Sequence, residues 1–268
     1  MKEDEALTFL IRELLKERGE PYEMELPKNR DKLFNLFRAL CNLRLPGPVS
    51  DQFLSVQDSF LRQWTKEKGT TAADDLQPVK TDPRLYLWQG DITTLQCSVI
   101  VNAANSSMLG CFRPLHGCID NMIHTMAGVE LRNECERQME ALRKEKGKDY
   151  QRPVAEPLIT PAYNLPSKYI VHVAGPVVEG TLTERERKEL ARCYESSLAL
   201  SSAWGAEQIA FCCISTGVFH FPPKEAADIA VNTVKQYLDT HKESSLQQVI
   251  FNVFTDRDRE IYAHILQA

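Results

Sequence analysis

Cys111, His116 and Cys118 stand in a C-x4-H-x-C spacing, three soft metal ligands within one short stretch. The stretch follows a polar loop, Asn102 to Ser107, and runs directly into a segment with helical patterning. Structural zinc sites normally close with four protein ligands, whereas catalytic ones keep three and leave a position for water or substrate. No second Cys or His pair lies nearby in sequence to complete a shell, so the count points to chemistry at the metal. Thiolate with imidazole is a donor set suited to zinc, Zn2+, at one ion per chain. Cys97, Cys135, Cys193, Cys212 and Cys213 sit in apolar or helical surroundings and read as buried, inert thiols. Cys111 and Cys118 instead flank Gly, Pro, Arg and His, where core packing has little to offer. Asp120, two residues beyond Cys118, is a candidate general base or a carboxylate that orients a ligand, and the orienting role is preferred.

A second loop, Ser215-Thr216-Gly217-Val218-Phe219-His220-Phe221-Pro222-Pro223, lies between an apolar strand pattern and a helix pattern. Gly217 lets the backbone turn sharply and approach a ligand closely. Successive N–H groups beside a helix N-terminus make an anion site of the kind that holds phosphates. Taken alone, this signal is weak, because many strand-to-helix turns carry Ser, Thr and Gly. Gly90-Asp91-Ile92-Thr93 puts a carboxylate at a strand-end turn. Asp91 there is either an N-cap or an acceptor for the exocyclic amine of adenine. Phe254 either finishes a strand or stacks on a base.

These residues need elements to position them. The chain has 268 residues, 43% hydrophobic and 26% charged, ordinary for a soluble globular protein. The net charge of −5 argues against a broad nucleic-acid surface. The acidic start resembles neither a signal nor a transit peptide, and no stretch reaches the ~20 apolar residues of a membrane span. The expectation is a cytoplasmic protein with reduced thiols, with no nucleic acid and no membrane among its partners.

Residues 1–68 read as three amphipathic helices, carried by Leu7, Leu10, Ile11 and Leu14, by Leu33, Phe34 and Phe37, and by Phe53, Phe60 and Trp64. They show no chemistry of their own and read as an appendage. Residues 70–83 read as a linker from their polar and proline content, which divides the chain into 1–83 and 84–268. Beyond it, strand patterns at 84–89, 99–101, 157–160, 169–173, 208–214 and 249–254 alternate with helix patterns at 118–144, 184–203, 224–238 and 257–266. That alternation predicts an α/β sandwich around a mostly parallel sheet, with ligands bound beyond the carboxyl ends of the strands. Both candidate loops occupy that position.

Together these pieces resemble the macrodomain family, α/β/α modules that bind ADP-ribose. The resemblance is carried by Gly90-Asp91-Ile92-Thr93, Val101-Asn102-Ala103-Ala104-Asn105-Ser106, Ile123-His124 with Ala127-Gly128, His172-Val173-Ala174-Gly175-Pro176 and Ser215-Thr216-Gly217-Val218-Phe219. It covers residues 84–268 and implies a three-layer α/β/α fold with a mixed, mostly parallel sheet and an N-terminal helical extension. Common macrodomains follow the Asn-Ala-Ala-Asn loop with glycines, whereas this chain has Gly110-Cys-Phe-Arg-Pro-Leu-His-Gly-Cys118. That insertion is similar to the one in zinc-dependent macrodomains, microbial hydrolases that remove mono-ADP-ribose from proteins.

The resemblance implies that Asp91 and Ile92 hold adenine with Phe254 stacked near it. It likewise implies that Ser215, Thr216, Gly217, Val218 and Phe219 cradle the diphosphate and that Asn105 orients the distal ribose. His220 stands where many macrodomains have glycine and lines the cleft or supplies a fourth zinc ligand, the cleft being preferred. The family also implies a carboxylate-linked modification placed by a sirtuin-like transferase, on a substrate such as a lipoyl-carrier protein. Two other activities need the same pocket: a non-catalytic reader of ADP-ribose and a deacetylase of O-acetyl-ADP-ribose. The ligand cluster itself yields a direct expectation. Elemental analysis of purified, reduced protein should find about one zinc per chain, and Cys111→Ala, His116→Ala or Cys118→Ala should abolish it.

Overall fold

The computed structural model describes residues 3–20 and 25–267. Helices α1 (Glu3–Glu17), α2 (Arg30–Leu43) and α3 (Asp51–Lys68) follow the apolar periodicity. Asn29 caps α2 by accepting from the Lys32 N–H, and Ser50 caps α3 by accepting from the Phe53 N–H. Gly69 ends α3 at φ 86°, as its place past the last periodic residue predicts. Leu7, Leu10 and Ile11 are fully buried. Phe34 stacks on Trp64 at 4.2 Å and Phe37 meets Phe60 edge-on at 5.8 Å, which joins α2 to α3. Each such buried aromatic contributes roughly 1.5–3 kcal/mol.

The segment read as a linker is built into the structure. β1 (Thr71–Ala72) pairs in parallel with β4 (Leu95–Gln96), while β2 (Pro78–Val79) pairs antiparallel with β3 (Asp82–Gln89). Gln248 donates from Nε2 to the Ala73 carbonyl between them. Polar and proline content read as a linker, but the backbone found strand partners, and Pro78 is tolerated because β2 is an edge.

The main sheet has seven strands in the order β2-β3-β9-β8-β5-β7-β6, with β5 (Val99–Ala104), β6 (Leu158–Pro161), β7 (Tyr169–Ala174), β8 (Gln208–Phe211) and β9 (Gln248–Val253). The five central strands are parallel and the two edges antiparallel, which makes the sheet mixed. Central strands covered on both faces read as continuous apolar runs, and every residue of β9 is buried. Helices α6 (Glu184–Ala203), α7 (Pro223–Thr240) and α8 (Asp256–Leu266) pack in series, while α4 (Ile119–Ala127) and α5 (Val129–Lys146) pack together with α2 and α3 against α4. This is the three-layer α/β/α arrangement with the N-terminal helices added to one layer. Among the described residues no helix is long and apolar enough to cross a membrane.

Three element boundaries near the site differ from the sequence reading, the first being β5, which runs on through Ala104 and takes Asn102 to Ala104 out of the predicted polar loop. The strand predicted at 208–214 stops at Phe211, which gives residues 212–222 to the loop. The single helix predicted at 118–144 is two helices, broken at Gly128 with φ 99°. A break mid-helix strands backbone groups that must be re-paired. Here the Gln57 Oε1 accepts from the Val129 N–H at 2.9 Å, and Asn164 Nδ2 donates to the Ala127 carbonyl at 3.0 Å. A Cβ at residue 128 would lie 2.6 Å from Gln57 Nε2. Gly128→Ala should therefore destabilise the fold by about 1–3 kcal/mol, from left-handed strain plus the clash. Chemical denaturation with an unchanged midpoint would contradict this account.

Candidate active site

The chain runs from β5 to β6 and β7 on one side of the sheet, whereas β8 and β9 lie on the other. Such a reversal opens a crevice between neighbouring parallel strands at their carboxyl ends. A cleft of about 530 Å3 lies there, within the usual range for small-molecule sites. Asp91, Ile92 and Phe254 line it, together with Ser215 to Phe219 and with Gly117 and Cys118 of the cysteine loop. One structure thus brings together three loops that the sequence keeps far apart.

Asp91 serves as the cap that its sequence position suggested. Its Oδ1 accepts from the Thr93 N–H at 3.0 Å and hydroxyl at 2.6 Å, and its Oδ2 faces Lys68 Nζ of α3 at 3.5 Å. It also stands on the cleft wall, so capping fixes the carboxylate that a ligand would meet. Phe254 is 74% exposed beside it, an uncovered aromatic face that packing within the chain does not explain.

The loop after β8 is folded by its own backbone. Thr216 N–H donates to the Cys213 carbonyl, His220 N–H to Gly217, and Phe221 N–H to Ser215. Among the described residues no carbonyl accepts from the N–H groups of Gly217, Val218 and Phe219. Those donors lie just before α7, whose N-terminal dipole favours an anion. Gly217 does not adopt a left-handed conformation; Ser215 (φ 65°) and His220 (φ 57°) do. A Cβ on Gly217 would meet nothing within 4 Å, so that space belongs to the cleft. The buried Ser215 hydroxyl has no hydrogen-bond partner among the described residues. A Cβ at Gly175 would come 2.1 Å from that oxygen, so Gly175 leaves the room in which Ser215 turns. His220 is exposed and neither lines the cleft nor joins the cysteine cluster, which corrects both roles given to it above.

Cys111, His116 and Cys118 converge. Their ligand atoms all lie within 4.8 Å of one another, and Cys111 Sγ is 3.5 Å from His116 Nδ1. Tetrahedral zinc with Zn–S near 2.3 Å and Zn–N near 2.0 Å separates its donors by roughly 3.5–3.8 Å, so the trio fits that ion. Cys118 lies on the cleft wall. Burial pushes its thiol up to about 12, an effect opposed by the Asn121 N–H and reinforced by Cys111 and Asp120.

The loop carrying the trio has no regular structure, so side chains satisfy its backbone. Asn105 accepts at Oδ1 from the Ser107 N–H (3.0 Å) and hydroxyl (2.5 Å), and donates from Nδ2 to the Gly110 carbonyl at 3.1 Å. Both ends of its amide are therefore committed to the loop, and Asn105 is not on the cleft wall. The geometry gives it a loop-bracing part, with one Nδ2 hydrogen left over for a ligand. Arg132 donates to Leu109 O at 2.8 Å and lies over the Phe112 ring at 4.3 Å. Asn121 donates to Arg113 O, Asn42 accepts from the Leu115 N–H, and Arg38 donates to His116 O. Arg38 and Asn42 come from α2, in the helices that carried no chemistry in sequence. Polar residues at helix positions 38 and 42, one turn apart, were the only signal available.

Asp120 is buried in the first turn of α4 and lies behind the cleft wall. Asn102 Nδ2 donates to its Oδ1 at 2.7 Å and also reaches His172 Nδ1 at 3.0 Å. That makes Nδ1 the acceptor, leaving His172 to donate from Nε2 to the Thr160 hydroxyl at 3.1 Å. Burial raises the Asp120 carboxyl to about 6, against the Asn102 hydrogen bond and Arg132. Burial holds the His172 ring down to about 3, and holds His124 well below its ordinary value with help from His172 and Arg132. His124, Cys135 and His172 also converge. Both His172 nitrogens are already engaged there, and the Arg132 charge acts on the cluster, so it reads as buried packing.

With this geometry in view, three comparisons bear on the chain. Residues 101–230 match the family model for the Macro domain. A Treponema medium protein named protein-ADP-ribose hydrolase is 43% identical, covering 99% of this chain and 100% of its own. A mutant Oceanobacillus iheyensis macrodomain solved with ADPR superposes at TM-score 0.60 and 36% identity, covering 68% of this chain and 91% of its own. A Trypanosoma brucei macrodomain in complex with ADP-ribose superposes at TM-score 0.64 and 26% identity, covering 91% and 97%.

The buried histidines make stability depend on pH in a definite direction. Both folded pKa values lie below 6.5, so the unfolded chain binds more protons there and stability drains away as pH falls below 6.5, for His172 down to about 3. Each costs about 1.4 kcal/mol per pH unit, while the raised Asp120 returns about that much as pH falls from about 6 to 3.8. Urea unfolding between pH 6.5 and 4 should show falling stability in the wild type and a shallower slope in His172→Gln. Equal slopes would contradict the neutral, buried state of His172.

Proposed function

The chain belongs to the Macro domain family, and on that footing we propose that it is a zinc-dependent hydrolase that removes mono-ADP-ribose from modified protein side chains. The observation that carries this reading is the convergence of Cys111, His116 and Cys118 beside the cleft, with Cys118 on its wall. The name of the Treponema relative supports the reaction, and the donor set supports the metal.

In this reading Asp91, held by Thr93, accepts from the adenine amine, and the exposed ring of Phe254 stacks on the base. The N–H groups of Gly217, Val218 and Phe219 donate to the diphosphate where the space beside Gly217 admits it, and the Ser215 hydroxyl gains a partner. Zinc bound by the trio would lower the pKa of a coordinated water or ribose hydroxyl towards neutrality. Asp120 orients α4 and the end of the cysteine loop through Asn102 rather than touching the ligand directly. Asn105 keeps the ligand-bearing loop in shape. The linkage proposed from the family resemblance is to a carboxylate side chain, with a lipoyl-carrier protein as the candidate substrate.

The burial of Asp120 behind the wall favours a second reading, a reader that binds ADP-ribose with zinc only stiffening the loop. One variant separates the two. Cys118→Ala should leave the adenine and diphosphate contacts intact while single-turnover release of ADP-ribose falls by on the order of 10²-fold or more, for several kcal/mol of lost charge stabilisation. Near-wild-type release in a zinc-free variant would rule out a catalytic metal. No release by the wild type from any carboxylate-linked mono-ADP-ribosyl protein would favour the reader.

A further inference from the structure

The N-terminal helices reach the cysteine loop through one charged side chain. Arg38 projects from α2, Nε donates to Asn121 Oδ1 at 2.9 Å, and Nη2 donates to His116 O at 2.6 Å. Asn121 in turn donates from Nδ2 to Arg113 O at 3.0 Å. One guanidinium fork therefore grips the backbone of a ligand residue and, through Asn121, the loop three residues earlier. It also lies on the cleft wall beside Gly117 and Cys118. Asn42, one helical turn on, holds the Leu115 N–H at 3.1 Å, so α2 fixes two successive loop residues.

From this we propose that Arg38 is a positioning residue for the metal loop, which makes the N-terminal helices part of the zinc site. The proposal rests on the zinc reading above. Without the fork, the His116 carbonyl loses its donor and the loop between Arg113 and Cys118 is free to spread. A ligand trio must be held before the ion arrives, because ordering it on binding subtracts from affinity. Partners outside the ligand set typically change metal affinity 10–100-fold when removed. Arginine is required rather than any cation, since only the planar fork reaches two acceptors in fixed geometry.

The test is zinc affinity of the full chain, read by competition with a chromophoric chelator, with far-UV circular dichroism of the zinc-loaded chain as the check that each variant folds. Arg38→Gln should weaken zinc binding 10–100-fold with an unchanged circular dichroism spectrum. Arg38→Lys, which keeps the charge and loses the fork, should remain weakened at least several-fold. Arg62→Met, on the exposed face of α3, is the control and should change nothing. Should Arg38→Gln fail to fold, Asn121→Ala carries the same expectation for zinc. Zinc affinities within twofold of wild type in the folded variants would overturn the proposal, as would full recovery by Arg38→Lys. A wild type that binds no zinc would sink the zinc reading first and this inference with it.

Discussion

Backbone amides and carbonyls that leave a sheet must find partners, and the segment from Asn105 to Cys118 finds them in side chains. Asn105 ties the loop to itself, Arg132 of α5 takes Leu109 O, Asn121 of α4 takes Arg113 O, and α2 supplies Asn42 and Arg38. The convergence of Cys111, His116 and Cys118 depends on those bonds, because nothing periodic in the loop would hold three ligands together. A net gain of only ~1 kcal/mol per hydrogen bond suffices, since the cost of leaving the groups unmade is what excludes other shapes.

The sheet supplies the rest of the geometry. Parallel central strands aim their carboxyl ends at one edge, and the change of direction between β5 and β8 leaves the crevice there. Into it the chain places an exposed aromatic ring, three backbone donors before a helix that have no partner among the described residues, and a carboxylate already fixed by Thr93. Each is a group whose partner within the fold is missing or incomplete. That shared incompleteness is the physical mark of a site open to a ligand.

The N-terminal helices play two parts with different chemistry. Their own faces close around Leu7, Phe34, Phe60 and Trp64, which is hydrophobic burial. Their attachment to the sheet domain adds specific polar bonds to a continuous apolar core. Gln57 accepts from Val129, Arg132 donates to the carbonyls of Cys41, Asn42 and Arg44, and Arg38 donates to the His116 carbonyl. Polar attachments of this kind fix position, because they are satisfied in one geometry only.

Most of the fold was legible in the chain. Apolar periodicity located the helices, continuous apolar runs located the parallel strands, and ligand types at C-x4-H-x-C spacing marked the trio. Those signals are local, since a helix face or a strand run is a property of neighbouring residues. Tertiary structure decided what neighbours cannot. It turned residues 70–83 from a linker into strands, broke a helix at Gly128 where Gln57 could pair the freed N–H, and moved His220 out to solvent. It committed the Asn105 amide to its own loop and brought Arg38, from the far end of the chain, to His116. Each of these outcomes rests on a hydrogen-bond partner distant in sequence, and a partner's distance in space is set only when the whole chain packs.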